Sequence, residues 1–127
     1  MTRDIIATTA APAAIGPYSQ AITTGTLIFT AGQIGIDPAT GKLVEGLEAQ
    51  ARQVMNNLAA ILNAAGSSLD LVIKTTIFLQ DMADFAVVNG IYGAAFTVTP
   101  PARSTVQVAG LPLGALVEIE AIALAGI

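Results

Sequence analysis

The ten residues LVEIEAIALA, positions 116–125, restrict the fold of this chain more than any other stretch. Apart from Glu118 and Glu120 the run is unbroken apolar sequence, which reads as a strand in the middle of a sheet. Side chains alternate along a strand, so Glu118 and Glu120 share one face while Val117, Ile119 and Ala121 share the other. On a solvated face two carboxylates would be ordinary. On a central strand each must be paired, hydrogen-bonded or turned toward a cavity.

A second stretch poses the complementary question. ARSTVQVA, positions 102–109, places Arg103, Thr105 and Gln107 on one strand face and Ala102, Ser104, Val106 and Val108 on the other. Arg103 is one of only five cations in the chain. It is either half of a structural ion pair with one of the nine acids or a fixed fork for a ligand carboxylate, which a guanidinium grips through parallel hydrogen bonds. In a simple hairpin about GLPLG (110–114), residue 107 would face residue 118, leaving Arg103 about 13 Å away at the usual strand rise. A site using both Arg103 and Glu118 therefore needs another strand order or two different chains.

The remaining sequence supplies the frame. Residues 4–9, 21–25 and 27–36 read as strands, the last two turning at Gly25, and DPATG (37–41) is a turn signal. Pro12, Gly16 and Pro17 keep the intervening segment irregular. Between 47 and 65, Leu47, Ala51, Val54, Leu58, Ile61, Leu62 and Ala65 recur at helical steps, with Glu45 and Glu48 near the start and Gly66 as the stop. Residues 71–79 form a β-branched strand. Asp81, with Asp84 three residues on, caps a second helix whose face carries Phe85, Val88, Tyr92 and Phe96, and Pro100-Pro101 forbids its continuation. This order predicts a single domain over residues 1–127, a two-layer α+β sandwich with a mixed sheet and both helices on one face.

The other sheet face also needs cover. The chain is 54% hydrophobic and 11% charged, so it is either a sturdy Ala-rich domain or one whose surface is hidden by copies of itself. The net charge of −4 and the lack of a basic run argue against a phosphate-tracking surface, so no nucleic-acid partner is expected. No Cys and no His leave carboxylates, Tyr, Lys, Arg and hydroxyls for chemistry. There is no signal-peptide pattern and no apolar run of membrane-spanning length, which predicts a cytoplasmic protein with no membrane partner. Two further positions stand out. Tyr18 follows Pro17 in a loop, where it either packs locally or lines a cleft, and Gly32 in TAGQ marks either a close approach to a ligand or a bulge.

Taken together, APAAIGPYSQA, TAGQIGIDPATGKLVEG, QARQVMNNLAAILNAAG, LVIKTTIFLQDMADFAVVNGIY and PPARSTVQVAGLPLGALVEIEAIA resemble the Rid (YjgF-type) family, in order, from about Ile5 to Ala123. The resemblance implies a chorismate-mutase-like fold assembled as a homotrimer with clefts between subunits. It also implies a last strand inserted mid-sheet, between the TAGQ and VIKTT strands. The implied activity is hydrolysis of small 2-imino acids and their 2-aminoacrylate-type enamine tautomers to 2-oxo acids and ammonia, with no cofactor and no metal. Carried onto this sequence, Arg103 is the carboxylate clamp and the Thr105 backbone N–H its second contact. Glu118 orients the attacking water, Tyr18 and Gly32 line the pocket, and Asn89 matches a cleft position. Two departures are visible: Ala31 stands where the family often has Ser, losing a side-chain hydrogen bond, and Thr105 where it often has Cys. Alternatives are a 2-oxo-acid-binding regulatory module with little turnover, or the ribonuclease or translation-inhibitor activity attributed to some relatives.

Overall fold

The computed structural model describes residues 2–126. Its main sheet comprises β1 (Asp4–Ile6), β2 (Ala21–Thr23), β3 (Leu27–Thr30), β6 (Val72–Leu79), β7 (Ala102–Gln107) and β8 (Val117–Leu124). They lie in the order β1-β2-β3-β8-β6-β7, with β8 antiparallel to both neighbours and β7 parallel to β6. The sheet is thus mixed, and the apolar run at the C-terminal end is central as its composition demands. A small hairpin, β4 (Ile36–Asp37) and β5 (Lys42–Leu43), closes over the DPATG turn, where Asp37 accepts from the Ala39 N–H.

Helix α1 (Leu47–Ala64) buries Ala51, Val54, Leu58, Ile61 and Leu62, the expected stripe. It ends in a Schellman motif: the Ser67 N–H donates to Leu62 O, the Gly66 N–H donates to Asn63 O, and Gly66 takes φ 77°. Helix α2 (Phe85–Ala95) enters through the 3-10 turn Met82–Asp84, where Asp81 accepts from the Ala83 N–H. Asp84 adds no side-chain cap bond of its own. The helix stops well short of the prolines, because Phe96 leaves helical geometry and packs its ring 4.7 Å from Tyr92. The core lies between these helices and one sheet face, with Ile77, Leu79, Val117, Ile119, Ala121 and Ala123 buried against Val54, Leu58 and Val88.

Two strands differ from their sequence expectation. β1 stops at Ile6, short of Thr9, because the buried Gln20 amide captures the next segment: it donates to Thr8 O, Ala11 O and Pro12 O, and accepts from the Thr8 N–H. The strand expected over 27–36 breaks after Thr30. Phe29 pairs with Ile122 but Gln33 pairs with Ile119, so the β3 side carries one extra residue, a bulge at Ala31–Gly32. The Thr30 hydroxyl fills the gap by accepting from the Ala121 N–H.

The face away from the helices is uncovered, polar around Lys74, Thr76 and Glu120 and apolar toward β1. Ile5, Ile22, Phe29 and Ile122 form one row across four strands, with Ile5 65% and Phe29 41% exposed.

Candidate active site

Glu118 lies on that outer face, where it is half-buried between β3 and β6. The bulge turns Gly32 toward it. A β-carbon on Gly32 would stand 2.5 Å from Glu118 Oε2, so only glycine lets the backbone lie flat against this carboxylate. Of the alternatives raised by the TAGQ sequence the bulge is realised, and the group that Gly32 approaches is the chain's own glutamate. Glu118 opens into a cleft of about 530 Å³ walled by Tyr18, Ala31, Gly32, Ile34, Pro112 and Leu113. It is the only charged side chain lining this cleft among the described residues. Burial and, secondarily, the like charge of Glu120 raise its carboxyl above the usual 4.5.

That shift fixes a sign. With a folded pKa above the unfolded one, the stability linked to Glu118 is fully present below its unfolded value and is lost as pH rises through the folded value. Glu118→Gln should therefore raise the melting temperature at pH 7, with the gain fading toward pH 4. Glu120→Gln should lower the folded pKa of Glu118, which a pH titration of the carboxyl would read directly.

Arg103 occupies a different environment. Register places it opposite Thr75, which faces Ala121. Arg103, Thr105 and Gln107 thus share the helix-side face with Ile77 and Ile119, not an open polar face, and β7 is polar there because it is the sheet edge beside α2. The guanidinium donates to Asn89 Oδ1 at 2.7 Å and lies 5.3 Å from the Phe85 ring centroid and 5.1 Å from that of Tyr92. Tyr92 is anchored by a 2.6 Å hydrogen bond with Thr75, and burial raises its phenol above 10.0, so it stays neutral. Among the described residues the only ion pair is Arg52–Glu48, so Arg103 is not half of an internal salt bridge. The Thr105 hydroxyl is buried without a hydrogen-bond partner.

The sequence-derived set therefore splits in two. Tyr18, Gly32 and Glu118 meet in one cleft; Arg103, Asn89 and Thr105 meet on the opposite side of the sheet. Two strand spacings and three residues separate the Arg103 and Glu118 backbones, about 14 Å, with the side chains on opposite faces. The central position of β8 removes the hairpin but does not unite these residues within one chain. Asn89 engages Arg103 itself. Sequence reasoning missed Leu113 and Ile15 on the cleft wall, and it took Phe85 and Tyr92 only as core residues.

The family model described as Endoribonuclease L-PSP matches residues 8–125, nearly the whole chain. The structure also superimposes on a Rid-family protein from Yersinia pestis with a TM-score of 0.96 at 49% identity, covering 98% of this chain and 100% of that one. The chain belongs to the Rid family. Among relatives of known name, a Mus musculus protein called 2-iminobutanoate/2-iminopropanoate deaminase is 52% identical over 98% of this chain and 93% of its own. Another solved structure, E. coli TdcF with bound serine, aligns with a TM-score of 0.93 at 44% identity over 97% of this chain and 99% of that one. The mid-sheet last strand that the Rid resemblance implied and the two helices on one face expected from the element order are both present. No helix of the described residues is long and apolar enough to cross a membrane.

Proposed function

We propose that this Rid protein hydrolyses small 2-imino acids, and the enamines that tautomerise to them, releasing 2-oxo acids and ammonia in the cytoplasm. The observation that carries the reading is Glu118: a half-buried carboxylate of raised pKa, pressed on Gly32, and the only charged side chain among the described residues that line a largely apolar cleft. A carboxylate partly shielded from water in a cleft is placed to accept and return a proton. Near full-length similarity to a protein named for this activity supports the same reading.

The reaction adds water across C=N and expels nitrogen. Arg103 grips the substrate carboxylate, with the Thr105 N–H as second contact, and Asn89 and the two aromatic rings hold the guanidinium in place. Water held by Glu118 attacks the imine carbon, forming the new C–O bond. Glu118 takes a proton from that water and returns it to nitrogen. Glu118 then takes the hydroxyl proton of the resulting carbinolamine and passes it to the NH2 group, the C–N bond breaks, ammonia leaves and the carbonyl forms.

Because one chain holds Arg103 and Glu118 on opposite faces, the working site lies between subunits of a homotrimer. The uncovered row of Ile5, Ile22, Phe29 and Ile122 supports such an assembly, since an apolar sheet face left in water invites association. Phe29→Lys should shift the protein to monomer in sedimentation velocity and abolish activity with it. The functional reading is tested by coupling a threonine dehydratase to the purified protein. Accelerated 2-oxobutanoate release that disappears in Glu118→Gln is expected; no acceleration by the wild-type protein would reject the assignment.

A further inference from the structure

Leu113 has a conformation that the fold does not repay. It sits at φ 58°, ψ 20°, the left-handed region, and is the only non-glycine residue among those described with positive φ. A side chain there crowds the following carbonyl, and the next residue, Gly114, shares the conformation at φ 70°. Burial offers no compensation, because Leu113 is 71% exposed. The backbone that imposes it is well held: the Ala115 N–H donates to Pro112 O at 3.0 Å, and buried Gln50 of α1 accepts from the Leu116 N–H at 2.9 Å. Strain kept by firm surroundings at a cleft is a pointer to function.

What the strain achieves is a direction. It places an isobutyl group on the wall of the Glu118 cleft, across from Ile15, Tyr18 and Ile34. Ile15 is 84% exposed, so two large aliphatic side chains stand open beside one carboxylate. Among the described residues the polar side chains on that lining are Glu118, Tyr18 and Gln33, and the rest of the wall around Leu113 and Ile15 is aliphatic, glycine or proline. Resting on the imine-hydrolysis reading above, we infer that Leu113 is a specificity-determining residue, selecting 2-imino acids with aliphatic side chains by packing against them. Each methylene removed from water there should raise kcat/KM by about fourfold.

The test uses the intact protein with imines made in place by an L-amino-acid oxidase from 2-aminobutyrate, norvaline and leucine. Semicarbazide trapping reads how fast each imine is consumed. Wild type should prefer the longer aliphatic substrates. In Leu113→Gly and Leu113→Asn, both compatible with left-handed backbone, the leucine-to-aminobutyrate ratio of kcat/KM should fall by about fourfold to tenfold. Leu113→Gly should melt no lower than wild type. A merely structural role would change all rates alike and leave the ratio intact, and a ratio within twofold of wild type in both variants overturns the inference. A wild-type protein that hydrolyses none of the imines overturns instead the deaminase reading beneath it.

Discussion

Gly32→Ala is expected to lower kcat/KM by about a hundredfold while leaving the fold nearly as stable as before. The added methyl would lie 2.5 Å from Glu118 Oε2 and 2.8 Å from its Cδ, closer than such atoms approach. The glutamate is the party free to move, since every close atom, Oε2, Cδ and Cγ at 3.1 Å, belongs to its side chain and its tip opens into the cleft. It would swing away from the bulge and leave the position that the proposed mechanism requires of it. A displacement of about 1 Å in a positioned group costs rates of this order. Steady-state kinetics and a thermal melt on the same preparation separate the two effects. Wild-type activity in Gly32→Ala would mean that the position of the carboxylate does not matter.

Arg103→Ala should be at least as damaging, with kcat/KM down by about two to three orders of magnitude, mostly through KM. No described acid neutralises this guanidinium, so its charge remains available to a ligand carboxylate. Arg103→Lys should recover little of the loss. Lysine keeps the charge but not the planar fork or its fit between Phe85 and Tyr92. Neither variant should change the assembly, because Arg103 meets its partners within its own chain. A rate equal to wild type in Arg103→Ala would remove the carboxylate grip from the mechanism.

Much of the frame was legible in local pattern. The stripe from Leu47 to Leu62 specified α1, and alternation in β8 put Glu118 and Glu120 together, opposite Ile119. Alternation also grouped Arg103 with Thr105 and Gln107 correctly, but it cannot say which group of a strand's side chains meets the helices. That depends on the parallel pairing of β7 with β6, a contact about thirty residues distant in sequence. For the same reason the sequence left open whether another strand order or a second chain would join Arg103 to Glu118; moving β8 to mid-sheet leaves them on opposite faces. A bulge was one of the two readings of Gly32, but choosing it, like placing the early end of β1, depends on tertiary bonds to Ile119, Ala121 and Gln20 that local pattern does not show. Leu113 gave no local sign at all. LPLG reads as a turn, and leucine is a poor guess for its left-handed position.

The central claim is that one catalytic site takes Arg103 from one subunit and Glu118 from another. Mixing Arg103→Ala and Glu118→Gln proteins, each nearly inactive alone, and letting them exchange subunits tests it directly. Random assembly gives each interface an intact Arg103 and an intact Glu118 with a probability of about one quarter in a ring of heterologous interfaces. Recovery of about one quarter of wild-type imine hydrolysis in the mixture is the expected result. If subunit exchange is verified by mass and activity stays at the level of the separate variants, the two residues do not share a site across chains and the account fails.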